Sequence, residues 1–332
     1  MKRFLALLLS VLTLFALAAC GAPENSAAHV SLTLCNTLPD DERAQDAMEA
    51  FAEAVWEATE ETVDVTVSAD ADEAAALDAV RAGTLDMTVV SFDTMCALCP
   101  QWKALAMPYL FLGRSDYWAA MESDAVRALF DLTAAEGFVG LTWLDAGSRC
   151  LYTASKKITA PEDLQGLRIG STEPDLVRDM LSALGAECVP MEYDAIPAAL
   201  ADGTIDGAED NVLAMFDHGA QVGYLMYDDH VRTPRVIVVS TAALARLDEA
   251  QQAALRGKAY ELCEYYKAAR VAYEDEARAE AKLEYGAELV SKFEHAPFRE
   301  ACAPVYDALK ESGSPAAALA DEILAMEPPA SK

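Results

Sequence analysis

The stretch PEDLQGLRIGSTEPD, residues 161–175, opens as a turn, runs through a short apolar strand and closes on a helix start. A unit of this kind brings a backbone edge and one side chain to whatever lies above the strand end, and here that last strand position is Gly170, which carries no charge. Similar units lie on both sides. Upstream, HVSLTL (29–34) reads as a strand, and residues 41–59 as a helix with Met48, Phe51, Val55 and Ala58 on one face. The alternating valines of VDVTV (63–67), a helix over 73–82 and the strand DMTVVS (86–91) follow. Downstream, strands over 167–171 and 187–190 alternate with helices over 174–184 and 194–201, a short strand precedes a helix starting near Asp210, and RVIVVS (235–240) is apolar enough for a central strand. Strands alternating with amphipathic helices predict an α/β fold on a largely parallel sheet.

Between the two sets the pattern predicts a helix over 117–136 and two separate strands, near FVGLTW (138–143) and at 150–153. Residues 248 to about 285 read as helical throughout, with Leu255, Leu262, Tyr266, Tyr273 and Ala277 on one stripe and Gly257 as the one obvious place to bend. At 1.5 Å per residue such a helix is about 50 Å long, more than the width of one domain of this size, so it is expected to brace two lobes. The tail from Ser312 is expected to be at most a short helix with a frayed end.

Lys2 and Arg3 precede an apolar run, Phe4 to Ala19, that stops at LAAC (17–20). This predicts an export signal over 1–19, lipid attachment at Cys20 and a polar tether over 20–28, which would leave a lipid string as the only membrane contact. The 55 acidic residues outnumber the 25 basic ones for a net charge of −30, a surface that repels nucleic acid and anionic headgroups. CALC (96–99) has metal or redox half-site spacing, but no second pair matches it and His29, His218, His230 and His295 are far apart, so the cysteines read as apolar packing. No nucleophile elbow, phosphate loop or His-x-x-x-His pair occurs, and acid pairs such as Asp228 and Asp229 read as solvated surface. The expectation is a protein without metal, cofactor or catalysis.

Three stretches resemble the substrate-binding proteins of tripartite ATP-independent periplasmic (TRAP) transporters: GSRCLYTASKKITAPEDLQGLRIG (147–170), GAECVPMEYDAIPAALADGTIDGAEDN (185–211), and RAGTLDMTVVS (81–91) with LAMPYLFLG (105–113). The likeness runs from His29 to about Lys310. It implies a type II-like, two-lobe periplasmic-binding-protein clamp: residues 29–146 plus 234–272 in lobe one, 147–233 plus 273–312 in lobe two, a tail over 313–332, and a long helix spanning both. The clamp would take one small organic solute outside the cytoplasm and deliver it to a small and a large membrane subunit.

In that family the solute is usually a carboxylate held by an arginine at the position of Gly170, and a second arginine matches Arg149. The family asparagine falls on Asp210, or on Asn211 with a slip of one, and its glutamate on Ala195, next to Asp194. Loss of a charge-assisted contact worth about 1.5–3 kcal/mol would weaken a carboxylate roughly ten- to a hundredfold. The reading is therefore a neutral or amine-bearing solute bound by Tyr193, Asp194, Asp210 and Asn211, with Asp145 nearby, Phe92 and Tyr193 stacking, Arg149 taking any oxygen, and Gly170 opening an approach to its own backbone and that of Ser171. The alternatives are a carboxylate moved toward Arg149, and a lipoprotein presenting its ligand to a sensor.

Overall fold

The computed structural model describes residues 28–38 and 41–326, so the signal, Cys20 and all but the last residue of the tether lie outside the described residues. The strands are β1 (Val30–Asn36), β2 (Val63–Ala69), β3 (Met87–Val90), β4 (Phe138–Thr153), β5 (Arg168–Ser171), β6 (Glu187–Pro190), β7 (Gly207–Asn211), β8 (Tyr224–Met226), β9 (Val231–Ser240) and β10 (Glu288–Val290). They form one sheet in the order β2-β1-β3-β9-β4-β7-β5-β6, with β8 also on β4 and β10 on β8. The ends of this path, β2-β1-β3 and β7-β5-β6, are parallel as expected. Its centre is not, because β9 runs antiparallel to both β3 and β4, and β4 antiparallel to β7.

That centre departs from the sequence reading in a second way: β4 is one strand of 16 residues rather than two. It pairs with β9 from Phe138 to Arg149 and continues along β7 from Arg149 to Thr153, so one backbone serves both halves of the sheet. The polar run Asp145-Ala146-Gly147-Ser148 that reads as a loop is a buried irregularity, with a register shift between Asp145 and Ser148 and Gly147 at φ +91°. Its polar groups have partners from neighbouring elements, which sequence alone does not supply. The helix expected over 117–136 is likewise broken. Arg114–Glu122 ends at Ser123, whose hydroxyl caps a second short helix, Asp124–Arg127, by accepting from the Val126 amide, and two 3₁₀ turns follow.

Apolar side chains fill both faces of the sheet. In β9, Val236 and Val238 enter one core with Trp102, Tyr117 and Trp143, while Ile237 and Val239 enter another with Leu32, Phe51 and Leu255, as a period of two requires. At the other end Cys150 and Tyr152 join Ile196 and Leu225, and Leu151 joins Ile169 and Phe298. The helix Glu249–Leu283 starts at a capping box of Asp248 and Gln251 and passes Gly257 without a break. Leu255, Leu262 and Tyr266 sit in the first end's core and Ala277 and Ala281 in the second's, so the helix ties the two ends together. The tail is held more firmly than expected: helix Ala316–Leu324 places Leu319 and Ile323 in the core around Trp102. The seven described cysteines are free, and burial pushes the thiols of Cys96 and Cys263 up to about 12, which suits packing rather than reaction.

Two glycines should respond oppositely to alanine. A Cβ at Gly147 would lie 2.2 Å from Arg270 Nη2 and 2.6 Å from Asn211 Nδ2, on backbone that disfavours L side chains, so Gly147→Ala is expected to destabilise by about 1–3 kcal/mol. Gly257 has nothing within 4 Å of that position, so Gly257→Ala should stabilise by about 0.5–1 kcal/mol. Urea midpoints of the two variants test both signs.

Candidate functional site

At the seam between the two ends lies a cleft of about 670 Å³. Asp41, Arg43, Phe92, Asp93 and Arg235 come to its lining from one end of the sheet, Arg149, Glu173, Tyr193, Asp210 and Asn211 from the other, and Arg270 from the long helix that spans both. Phe92, Arg149, Tyr193, Asp210 and Asn211 are therefore brought together. Each is positioned by its element: Arg149 and Asn211 are cross-strand partners of β4 and β7, and Phe92 opens a helix capped by Ser91. The Asn211 amide also donates to the Ala146 carbonyl (2.7 Å), tying β7 to the irregular stretch of β4.

Four other sequence candidates lie elsewhere. Asp145 is buried and accepts from Arg232 Nη1 at 2.9 Å on both oxygens, from Trp118 Nε1 (2.7 Å) and from the Gly147 amide (2.9 Å). It is a neutralised structural acid. A Cβ at Gly170 would meet Ile205 Cδ1 at 2.9 Å and Met191 Sδ at 3.1 Å, so the space released by the missing side chain is filled by packed apolar atoms and leaves no opening for a ligand. Ser171 is buried, donating to Glu209 and accepting from the Glu173 amide. Asp194 is exposed in a short turn outside the cleft lining.

The residue that organises the site is one sequence reasoning missed, Glu209. It is fully buried, and its two oxygens accept from Arg149 Nε and Nη2, each at 2.8 Å, in a bidentate pair. His230 Nε2 lies 3.1 Å from the same carboxylate, and His230 Nδ1 lies 2.8 Å from Asp228. Asp228 in turn accepts from the Leu151 amide (2.8 Å), so it is a buried structural acid and not the solvated surface group expected from its sequence. Asp229 beside it is also largely buried, bonded by the Ser148 hydroxyl. The available signal was strand alternation, which turns Glu209 away from Asp210 onto the face that carries Arg149.

These neighbours set the charges. Burial alone would raise Glu209, but Arg149 and then His230 overcome it and hold its carboxyl at about 2. Burial alone would lower His230, but Asp228 and Glu209 reverse this and raise it to about 9. Arg149 Nη1, the nitrogen left over, faces Glu173 (3.3 Å) and Asp210 (3.6 Å). Burial raises both of these acids against the pull of Arg149, and Glu209 raises them further. One guanidinium thus stands among three carboxylates on this wall.

A fold of two lobes on one sheet, joined by crossing strands and a long helix, with a charged cleft at the seam, defines a solute-binding protein of the periplasmic clamp type. The family model for bacterial extracellular solute-binding protein, family 7 (DctP) matches residues 35–312, and the chain belongs to that family, the solute-binding proteins of TRAP transporters. It is 31% identical over 237 residues to an uncharacterised protein, YiiZ, of Salmonella typhimurium, covering 70% of this chain and 72% of that one. A TRAP periplasmic solute-binding protein from Chromohalobacter salexigens, solved with D-glucuronate, superposes with a TM-score of 0.73 at 25% identity, covering 88% of this chain and 99% of that one. One from Anaerococcus prevotii, also with D-glucuronate, gives 0.70 at 28% identity over 89% and 97%.

Linkage sets the expected pH profile. The stabilisation from Glu209 is complete above its ordinary 4.5 and lost as pH falls toward about 2, whereas that from His230 is complete below its ordinary 6.5 and lost as pH rises through about 9. Stability should therefore decline between about pH 6.5 and about pH 9, and His230→Gln should flatten that decline. Glu209→Gln, which strands a buried guanidinium, is expected to cost about 3–5 kcal/mol near neutral pH, read from urea midpoints.

Proposed function

We propose that this chain is the solute receptor of a TRAP transporter, that lobes of residues 29–146 plus 234–272 and 147–233 plus 273–312 close on one small organic solute, and that the loaded clamp passes it to the small and large membrane subunits. The observation that carries the reading is the seam cleft of about 670 Å³, lined from both ends of one sheet by charged and aromatic groups. Its size suits a single small molecule. Closure would be driven by the higher affinity of the closed state for the solute, with no covalent step. Cys20 would carry the lipid that keeps the receptor at the extracytoplasmic face of the membrane.

On the Arg149 wall the solute presents donors, either hydroxyls or an amine. Arg149 gives two nitrogens to Glu209 and its third faces Glu173 and Asp210, so this wall attracts neutral donor-rich or amine-bearing groups and repels a carboxylate. This argues against the alternative of an acid held by Arg149. The two relatives solved with D-glucuronate support a hydroxyl-rich sugar acid as one kind of solute, whose ring hydroxyls would face this wall.

A thermal-shift screen of sugars, sugar acids, amino sugars, polyols and simple carboxylates should return one narrow class, because a ligand at 100 times its Kd adds about 2.7 kcal/mol of stability. Asp210→Asn should weaken that class about tenfold or more without lowering the melting temperature of the free protein. Steady turnover of the bound solute, or uptake that proceeds without the membrane subunits, would end the receptor reading.

A further inference from the structure

We infer that Asp217 and His218 are positioning residues for solute binding: they fix the Tyr193 ring as an aromatic floor of the cleft, and neither touches the solute itself. This rests on the receptor reading and names the class of solute, a cyclic molecule with a C–H face free to lie on that ring.

Tyr193 stands on a turn that cannot hold it. The 3₁₀ turn Tyr193–Ala195 between β6 and the helix Ile196–Asp202 is exposed at every position, so nothing within it fixes the side-chain torsions of the tyrosine. The constraint comes from a distant segment. The short helix Met215–His218 carries His218 fully buried, its ring centroid 4.3 Å from that of Tyr193, and the exposed Asp217, which accepts from the Tyr193 hydroxyl at 2.7 Å. The ring is thereby backed by an imidazole and tied at its far end. Tyr193 is 36% exposed and lines the cleft, whereas Asp217 and His218 are not part of the lining, so they reach a solute only through the tyrosine.

Both anchors are held from below. His218 Nδ1 lies 2.8 Å from the hydroxyl of Tyr152, a buried residue of the crossing strand β4. Met215 shares a core with Tyr152, Ile196 and Leu225, and Phe216 stacks on Tyr273 of the long helix at 5.0 Å. Two residues of this helix therefore fasten it to the fold, and the next two fasten one tyrosine. Burial lowers the pKa of His218 against the pull of Asp210 and Asp217, so the ring rests on a neutral imidazole.

The same geometry gives the Tyr193 hydroxyl its part. Its single proton goes to Asp217, so the hydroxyl is the tether of the ring and not a donor to the solute. Burial and then Asp217 push the phenol up, which keeps that proton in place. A side chain ordered beforehand need not be ordered by the ligand, and affinity rises accordingly. Phe92 comes to the cleft from the first end of the sheet, so a ring at the seam meets an aromatic group from each end.

The test is a double-mutant cycle read by calorimetric titration of the mature chain with D-glucuronate, a ring acid, and D-gluconate, an open-chain acid of the same carbon count. Tyr193→Phe and Asp217→Ala cut the tether from its two ends. Each is expected to weaken D-glucuronate about two- to tenfold, and the double variant no more than either single one, with D-gluconate binding and the melting temperature nearly unchanged. Tyr193→Leu should weaken D-glucuronate about tenfold and remove the preference for the ring acid. His218→Gln should likewise spare D-gluconate, but it is buried and liable to disturb folding, so the exposed Asp217 is the deciding position. Losses that add in the double variant, or a loss in Tyr193→Phe with none in Asp217→Ala, put the hydroxyl on the solute and overturn the proposal. So does D-gluconate binding to the unaltered chain as tightly as D-glucuronate. If D-glucuronate, its epimer D-galacturonate and D-glucose all fail to bind while an open-chain solute does, the aromatic floor falls and the receptor reading stands. If nothing binds and uptake does not depend on the chain, both fall.

Discussion

A guanidinium buried where a strand passes from one half of a sheet to the other must have an anionic partner, and the pairing of Arg149 with Glu209 meets that demand. The rest of the site depends on it. Glu209 on β7, Arg149 on β4, His230 at the approach to β9 and Ser171 on β5 share one carboxylate, so four segments that are distant in sequence are held in one register. The pair also decides what the cleft offers. With two nitrogens turned inward, Arg149 contributes little positive charge to the wall it lines, and Glu173 and Asp210 dominate there. A buried ion pair of this kind is weak evidence for net stability, and its clearer consequence is geometric: it removes freedom from the side chain that a ligand meets.

A second buried network lies under the irregular part of β4. Asp145 binds Arg232, and Arg232 also approaches Asp229 (3.9 Å) and Glu274, which accepts from the Ser148 amide. Here a strand with poor ladder geometry has its loose polar groups satisfied by side chains from β9, the loop before it and the long helix. That allows β4 to bend with Asp145, the Gly147 and Ser148 amides and the Ala146 carbonyl all hydrogen bonded, and a strand that bends while remaining hydrogen bonded is suited to connect two lobes. The helix Glu249–Leu283 spans the same crossing from outside, with Arg270 as its contact to the kink.

How much of this was legible in the sequence differs from element to element. The parallel ends of the sheet were legible because apolar residues alternate in β1 and β2, and because the short strands β5 and β6 are each followed by a helix. The long helix was legible because its apolar stripe persists through Gly257, whose missing Cβ faces open space. The continuity of β4 was hidden, since Asp145 to Ser148 carry the composition of a turn and become strand only through partners far away in sequence. The aspartates at 228 and 229 misled for the same reason: in a chain this acidic, composition favours solvent, and only His230, the Leu151 amide and Ser148 turn them inward. Gly170 was recognised as a departure from the family pattern, but what replaced the missing side chain, Ile205 and Met191, was not.

The sequence by itself determined the class of fold, the family and most of the residues on the Arg149 wall, because local periodicity and long contiguous motifs are properties of neighbours along the chain. Only the tertiary structure decided which charges are free to act. Whether Arg149, Asp145 or Arg235 can meet a solute depends on how many opposite charges lie within a few ångströms, and such partners come from distant elements, 60 residues away for Arg149 and Glu209 and 87 for Asp145 and Arg232. The sign of each wall of the cleft is a sum over such pairs, and that sum exists only after the chain has folded.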